Sequence, residues 1–248
     1  MMKNLVVANW KMNPVTKEEA RELAGRIELA VTAVSREKVE VVICPPHPFL
    51  ATLQHLLHFV RLGAQNMAAE TKGPYTGEVA AGQILSLGGR YVILGHSERR
   101  ALGEDDKLIA RKFALAIVSG LHPILCVGAG TRAGQSMSAI SKVVKGQLGA
   151  ALRTAKAGKA DFTVVYEPVW AISRGLGTGE AVSPAHAAGV VTGLRKLAPR
   201  SRFIYGGSVD AKNAAGFAGQ RALQGALVGG ASLDSAEFLQ IVKAFSKG

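Results

Sequence analysis

Short runs of apolar residues recur along the whole chain, with few polar positions inside them. A run without polar alternation is typical of a strand that is covered on both faces, as the strands of parallel sheets are. The pattern predicts eight strands of this kind. They are Leu5–Ala8, Val39–Cys44, Val60–Ala64, Tyr91–Leu94, Ile124–Val127, Phe162–Tyr166, Phe203–Tyr205 and Ala226–Val228.

Segments with the apolar spacing of helices lie between these runs. Thr16 and Glu19 form a capping box at the start of one such segment, and Ser183-Pro184 is an N-cap followed by proline in the first turn of another. The chain closes with a third segment, Phe238 to Phe245. The remaining helix candidates are Phe49–His58, Ala80–Leu87, Asp105–Ser119, Ser136–Ala155 and Asp210–Phe217.

Eight strand-helix units in 248 residues fit a barrel better than a doubly wound sheet, which usually has five or six strands. The sequence has no low-complexity linker that would separate two domains. We therefore predict one α/β domain over residues 1–248, a (β/α)8 TIM barrel of eight parallel strands surrounded by helices.

Composition and charge limit the cellular locations and the classes of binding partner that the sequence allows. The chain is 48% hydrophobic and 19% charged, and no segment approaches the roughly 18 consecutive apolar residues that a membrane span needs. The first apolar run is too short for a signal peptide, so we expect a cytoplasmic protein without membrane contact. The net charge of +12 comes without a run of five or six basic residues, which argues against nucleic acid as a partner.

The two cysteines, Cys44 and Cys126, each stand at the end of an apolar run. This placement predicts buried free thiols in a reducing compartment. A single disulfide between them is the alternative.

Polar residues stand at the carboxyl ends of several predicted strands, which is where barrels of this kind carry their active sites. Glu167 ends one strand, and Pro168 behind it fixes the acid at the rim. A glycine-rich segment, Ser173–Gly179, follows and has the composition of a mobile loop. We call this segment the flap. Taken alone, Glu167 is best explained as a solvated acid in a turn.

Glycine-rich turns follow the last two strands, at Gly206-Gly207-Ser208 and at Gly229-Gly230. Barrels commonly hold a phosphate at these two positions, because a chain without Cβ lets backbone N–H groups approach an anion closely. One such turn is weak evidence, since glycine serves any tight turn. Two at neighbouring strand ends predict a phosphate site.

Lys11 and His96 complete the polar ring at the same end of the barrel. Singly, each would be an ordinary solvated or satisfied side chain. Together with Glu167 and a phosphate site, they supply a base, an electrophile and a fixed positive charge. Proton abstraction next to a carbonyl requires this combination.

Five motifs at predicted strand ends carry these residues: Asn9-Trp10-Lys11, Gly95-His96-Ser97-Glu98-Arg99-Arg100, Tyr166-Glu167-Pro168-Val169-Trp170-Ala171, Tyr205-Gly206-Gly207-Ser208-Val209 and Val228-Gly229-Gly230-Ala231-Ser232-Leu233. In this order and over the whole chain, the set resembles the signature of the triosephosphate isomerase family. The resemblance implies interconversion of dihydroxyacetone phosphate and D-glyceraldehyde 3-phosphate through an enediol(ate), in glycolysis and gluconeogenesis. It also implies that the enzyme needs no metal or organic cofactor and forms a homodimer.

The resemblance assigns catalytic roles to four residues. Glu167 would be the base that moves the proton between two carbons, and His96 would polarise the carbonyl. The family is itself the standard example of a neutral histidine acting as electrophile. Lys11 would neutralise charge on the enediolate and the phosphate, and Asn9 would position Lys11 and bind substrate.

Supporting roles follow from the same resemblance. Glu98 is the expected ion-pair partner of Lys11, and Ser97 is expected to hold Glu167 before the flap closes. The expected substrate-binding residues are Asn9, Lys11, Gly177, Ser208, Gly229 and Gly230. The long connection between residues 67 and 79 resembles the family's dimer loop, with Tyr75 and Thr76 reaching the partner subunit; an ordinary surface loop is the alternative.

The chain departs from the family pattern at two places. Cys126-Val127-Gly128-Ala129 lacks the acid that usually follows the glycine, which puts a supporting interaction in doubt. The flap is four residues longer than usual, so the phosphate-binding amide belongs to Gly177 or to Ser173, and we favour Gly177. A longer flap is expected to let more enediolate escape as methylglyoxal and phosphate.

Two other functions compete with this one. Another phosphate-binding barrel isomerase or aldolase would share the two glycine turns but not the combination of Lys11, His96 and Glu167. A non-catalytic barrel kept as a scaffold would not need that combination at all. A coupled assay with glyceraldehyde 3-phosphate separates the three hypotheses.

Overall fold

A computed structural model of the chain describes residues 2–34, 36–155, 160–172 and 179–247. Eight strands in this part of the chain form the inner layer. They are β1 (Asn4–Asn9), β2 (Val39–Cys44), β3 (Arg61–Ala64), β4 (Tyr91–Leu94), β5 (His122–Val127), β6 (Thr163–Tyr166), β7 (Arg202–Tyr205) and β8 (Gly225–Val228).

The strands form a closed barrel in sequence order, and every neighbouring pair is parallel. The predicted (β/α)8 barrel is therefore confirmed. The barrel closes where β8 pairs with β1, in a register that places Leu5 opposite Gly225 and Ala8 opposite Val228. Because all strands point the same way, their carboxyl ends meet at one mouth.

Helices cover the barrel from outside. In the described part of the chain they are α1 (Lys17–Val31), α2 (Leu50–Leu53), α3 (Ala81–Ser86), α4 (Ser97–Ala101), α5 (Asp106–Ser119), α6 (Met137–Ala155), α7 (Pro184–Arg195), α8 (Ala214–Ala218) and α9 (Ser235–Lys247). Three short 3-10 helices are added at His47–Phe49, Val169–Ala171 and Gly230–Leu233. None of the described helices is both long enough and apolar enough to cross a membrane.

The helix starts that the sequence marked are present. Thr16 Oγ1 accepts the Glu19 N–H at 3.2 Å, and Glu19 Oε2 accepts the Thr16 N–H at 3.2 Å, which is the predicted capping box of α1. Ser183 caps α7 by accepting the His186 N–H at 3.2 Å, with Pro184 in the first position. Side chains next to each helix thus bond N–H groups that the helix itself leaves free.

The predicted helix Phe49–His58 is wrong in extent, because only Leu50–Leu53 is α-helical there. The carboxylate of Glu28 in α1 accepts the N–H groups of His58, Phe59 and Val60 at 2.8 to 3.0 Å. This buried acid turns the chain toward β3 and ends the helical stretch. A bond between residues about thirty positions apart overrides the local preference.

The predicted helix Asp210–Phe217 also starts later than expected, at Ala214. The Asp210 carboxylate accepts the N–H groups of Lys212 and Asn213 at 2.9 and 2.8 Å. These bonds form a local turn that takes the place of a first helical turn.

The interior of the barrel is filled by alternate side chains of the strands. This inner cluster consists of Leu5, Val7, Val42, Cys44, Tyr91, Ile93, Ile124, Cys126, Val165, Ile204 and Leu227. Both cysteines are buried free thiols, as predicted. A larger apolar cluster fills the space between the strands and the helices, so both faces of the sheet are covered.

Gly225 at the start of β8 is expected to be indispensable for closing the barrel. Its φ is +143°, and a Cβ there would lie 1.8 Å from Leu5 O and 2.6 Å from Leu5 C. Gly225→Ala should therefore lower the free energy of unfolding by about 3 kcal/mol, measured by urea denaturation.

Gly146 provides the matched control, because it lies in α6 and a Cβ added there would meet nothing within 4 Å. Gly146→Ala should raise the free energy of unfolding by about 0.5 to 1 kcal/mol, since alanine is the better helix former. Equal effects of the two substitutions would contradict the packing argument for Gly225.

Candidate active site

A cavity of about 470 Å³ opens at the carboxyl ends of the strands. Its wall includes six of the residues that the sequence proposed, namely Asn9, Lys11, His96, Ser208, Gly229 and Gly230. Glu167 and Glu98 adjoin it through direct contacts with His96 and Lys11, and Ser97 bonds Glu167. The fold thus gathers residues from β1, β4, β6, β7 and β8 around one space.

Glu167 follows β6 and is almost fully buried, with 2% of its surface exposed. Ser97 Oγ donates to Glu167 Oε1 at 2.9 Å, and the Ser97 N–H donates to Oε2 at 3.3 Å. His96 Nε2 lies 3.2 Å from Oε1. A buried carboxylate with three polar neighbours has a fixed orientation.

His96 directly precedes α4 and acts as its N-cap. Its Nδ1 accepts the N–H of Glu98 at 3.3 Å. An accepting Nδ1 carries no hydrogen, so we assign the hydrogen of the neutral ring to Nε2, which faces Glu167. His96 is 5% exposed and lines the cavity, so the residue presents an N–H donor at the cavity wall.

Lys11 is held in an unusual backbone conformation at the end of β1. Its φ is +54°, in the left-handed region that costs a non-glycine residue about 1 to 3 kcal/mol. Asn9 Oδ1 accepts the Lys11 N–H at 3.1 Å, and Gln65 Nε2 donates to Lys11 O at 2.6 Å. Lys11 Nζ lies 2.7 Å from Glu98 Oε1. Main chain and ammonium group are thus both anchored.

The two glycine turns, with Gly206 and Gly207 in one and Gly229 and Gly230 in the other, also line the cavity. A Cβ at Gly207 would lie 2.1 Å from the Tyr205 hydroxyl, so no other residue fits without moving that ring. Gly229 lies beside Lys11, whose Cε would be 3.3 Å from a Cβ there. Gly230 begins a short 3-10 helix and has open space in front of it.

The N–H of Ser208, which the resemblance assigns to phosphate, is engaged in this structure. It donates to Ala171 O at 2.7 Å, and Ala171 lies just before the flap. Phosphate binding by this N–H therefore requires that bond to be exchanged.

The proposed phosphate ligand Gly177 and its alternative Ser173 lie outside the described residues, as does most of the flap. Gly179, the last residue of the flap, is described and lies against Ile172, the residue that precedes the flap. A Cβ on Gly179 would be 2.5 Å from Ile172 O. Beyond Gly179, the Tyr205 hydroxyl accepts the Val182 N–H at 3.3 Å.

Burial raises the pKa of the Cys126 thiol well above its ordinary value, and the charge of the nearby Glu167 adds to this effect. A thiol with a raised pKa stays protonated at neutral pH and is a poor nucleophile. Cys126 therefore belongs to the packed barrel interior near Glu167 and is not a second reactive group.

Residues Tyr75 and Thr76 do not touch the cavity of their own chain, since neither is among its lining residues. Tyr75 is 46% exposed. The loop is fixed at its base, where Asn66 Nδ2 donates to Glu104 Oε1 at 3.1 Å and the Ala68 N–H donates to Val79 O at 2.8 Å. Residues 71–78 at the tip of the loop are exposed.

Sequence reasoning missed Gln65, although it stands directly behind β3 as Lys11 stands behind β1. Its side chain donates to Lys11 O and to Cys44 O at 2.6 and 2.9 Å. The rule that located Lys11, a polar residue after a strand, would have found it. Tyr205 was noted only as part of a motif, and its bond to Val182 had no sequence signal.

No group of three or more His, Cys, Asp or Glu side chains suited to a metal ion occurs within the described ranges.

Comparisons with known proteins identify the family of the chain. The family model described as triosephosphate isomerase matches residues 4–245. The triosephosphate isomerase of Dechloromonas aromatica is 43% identical over 98% of this chain and 99% of its own length. Those of Halorhodospira halophila and Thiobacillus denitrificans are 41% and 42% identical, each over 100% of both chains. The chain belongs to the triosephosphate isomerase family.

Proposed function

We propose that this protein interconverts dihydroxyacetone phosphate and D-glyceraldehyde 3-phosphate by proton transfer through an enediol(ate). The observation that carries the proposal is the meeting of Glu167 Oε1 and His96 Nε2, 3.2 Å apart, beside a cavity that also contains Lys11 and two glycine turns. Family membership supports the same reaction, since the relatives are named triosephosphate isomerase.

The proton transfer needs a base and an acid on the two reacting centres. Glu167 takes the proton from the carbon next to the carbonyl, and His96 Nε2–H donates to the carbonyl oxygen, which forms the enediol(ate). Glu167 then returns its proton to the neighbouring carbon, and His96 recovers a proton from the other oxygen. No atom is gained or lost, as an isomerisation requires.

Lys11 and the glycine turns stabilise the negative charges of the substrate. Lys11 Nζ is a fixed cation that stabilises negative charge on the enediolate oxygen and on the phosphate. Asn9 fixes the Lys11 main chain. The N–H groups of Gly229 and Gly230 hold the phosphate, together with that of Ser208 once it exchanges its bond to Ala171 O. We assign substrate phosphate to Gly177 in the flap from the resemblance alone.

Ser97 and Glu98 act through other residues. Ser97 holds the Glu167 carboxylate with two hydrogen bonds, and Glu98 pairs with Lys11. Glu98 also presents its N–H to His96 Nδ1. One short helix start thereby orients the base, the electrophile and the cation.

A coupled assay tests the proposal directly. Purified protein is given glyceraldehyde 3-phosphate, and dihydroxyacetone phosphate is followed through NADH consumption by glycerol-3-phosphate dehydrogenase. Isomerisation is expected without added metal or organic cofactor. A second reaction that contains both trioses separates the alternatives: a hexose bisphosphate formed there would indicate an aldolase, and no turnover in either reaction would indicate a non-catalytic barrel.

The protein is proposed to act as a cytoplasmic homodimer built from one domain per chain. Exposed apolar side chains support the dimer: Met12 and Val15 follow β1 and are 89% and 86% exposed, and Leu102 follows α4 at 75%. Together with Tyr75, they belong to the connections that follow β1, β3 and β4 at the carboxyl ends of the strands. A partner subunit would cover these side chains and bring its Thr76 close to the site.

Val15→Asp is expected to shift the protein from dimer toward monomer, because a carboxylate would be buried in the interface. Sedimentation velocity should give twice the chain mass of 25.9 kDa for the wild type and a lower value for the variant. Leu197→Asp is the control, at an apolar residue 43% exposed behind α7. A monomeric wild type would refute the dimer, and an unchanged Val15→Asp dimer would refute this interface.

A further inference from the structure

The turn after β5 is held by the side chain of Gln147, which reaches it from α6. The Gly128 N–H donates to Gln147 Oε1 at 2.8 Å, and Gln147 Nε2 donates to Ala129 O at 2.9 Å. Both polar ends of one carboxamide thus bind two successive residues. A side chain with two bonds of this kind fixes the turn in position as well as in orientation.

Gly128 lies directly against the main chain of Glu167. A Cβ on Gly128 would be 2.5 Å from Glu167 O and 2.9 Å from Glu167 C, and the φ of Gly128 is +126°. The Glu167 N–H also donates to Val127 O at 2.8 Å. The turn is therefore the surface on which the backbone of the base rests.

Thr131 also stabilises this turn, because its N–H donates a hydrogen bond to Gly128 O at 3.1 Å. Ala129 offers no polar side chain that could support the turn. Within the described residues, the side chain of Gln147 in α6 thus connects the helical layer to the Gly128–Ala129 turn.

We propose that Gln147 is a positioning residue for the catalytic base. Gln147 holds the Gly128–Ala129 turn against the Glu167 main chain. This contact keeps the Glu167 carboxylate at the correct distance from the reacting carbon. The inference rests on the proposed function, because it takes Glu167 as the base. Small displacements of a catalytic group, of about 1 Å, can lower rates by about a hundredfold.

Gln147→Met tests this inference by removing both hydrogen bonds with little change in side-chain length. The expected result is a kcat lowered about 10- to 100-fold, with KM within about twofold of wild type. The primary isotope effect with carbon-deuterated substrate should rise, because proton transfer becomes slower relative to the other steps. Competitive inhibition by inorganic phosphate should be unchanged, since the glycine turns are untouched.

Gln147→Asn is the second variant, and it keeps the test decisive if the methionine variant does not fold. Its amide is polar but one carbon too short to bond both residues, so the same loss of kcat is expected. Gln135→Met is the matched control: Gln135 Oε1 accepts the Arg132 N–H at 2.9 Å in the same connection, without contact to Glu167. Its kcat should stay within about twofold of wild type.

The outcomes separate this inference from the proposed function. A wild-type protein without isomerase activity would refute the proposed function. An active wild type together with a folded Gln147 variant that keeps its kcat would refute only the role of Gln147. A raised KM at unchanged kcat would also overturn it, because that result indicates lost substrate binding instead of a displaced base.

Discussion

Glu167→Asp is expected to lower kcat about a thousandfold while KM stays within about threefold of wild type. Aspartate is one carbon shorter, so the carboxylate draws back from the substrate carbon. The contacts that place the longer side chain, from Ser97 Oγ at 2.9 Å and His96 Nε2 at 3.2 Å, would no longer be met together. Binding is spared because the substitution leaves Lys11 and the glycine turns unchanged.

Steady-state kinetics in the coupled assay measure this effect, with the heat denaturation of the variant as a check on folding. The control is Glu22→Asp, which makes the same change at an exposed position of α1 and should leave kcat unaltered. If Glu167→Asp kept full turnover, Glu167 would have no part in proton transfer, and the proposed mechanism would be refuted.

The barrel was predictable from the sequence because each of its strands is covered on both faces. Strands β2 and β4 have the predicted bounds, and the others differ by at most two residues at an end. Helix starts were predictable where a cap bonds locally, as Thr16 does. The helix at Phe49–His58 was not, since Glu28, far away in sequence, determines where it stops.

The positions of Asn9, Lys11, His96 and Glu167 around one mouth follow from strand order, because parallel strands end on the same side. What strand order leaves open is how each side chain is held. Gln65 bonds the main chain of Lys11, whose φ is left-handed, and Gln147 bonds the turn that lies against Glu167. Both bonds join side chains to main-chain atoms that are distant in sequence. Local patterns carry no trace of such bonds.

Two residues at the start of α4 contact three of the proposed catalytic side chains. Ser97 bonds the base, the Glu98 N–H sets the tautomer of His96, and the Glu98 carboxylate pairs with Lys11. A substitution that displaces the main chain of this segment would therefore disturb all three contacts together. For this reason single changes at Lys11 and Glu167 are the sharper tests of the mechanism.

Lys11→Met is expected to lower kcat/KM by about a thousandfold or more, with a higher KM and a lower kcat. Methionine has nearly the same length but no charge, so negative charge on the phosphate and on the enediolate would lose its fixed counter-charge. Both parameters change because the ammonium group acts on the bound substrate and on the transition state. The free energy of unfolding should change by less than about 1 kcal/mol, since the paired Glu98 side chain is 55% exposed.

The double variant Lys11→Met with Glu98→Gln shows which charge matters. In the single variant the Glu98 carboxylate is left without its partner, and its Oε2 lies 3.7 Å from His96 Nδ1. If the missing cation causes the loss, removing the carboxylate as well will not restore kcat/KM. If the double variant recovers most of the activity, the unpaired carboxylate acting on His96 is the cause, and the direct role proposed for Lys11 is refuted.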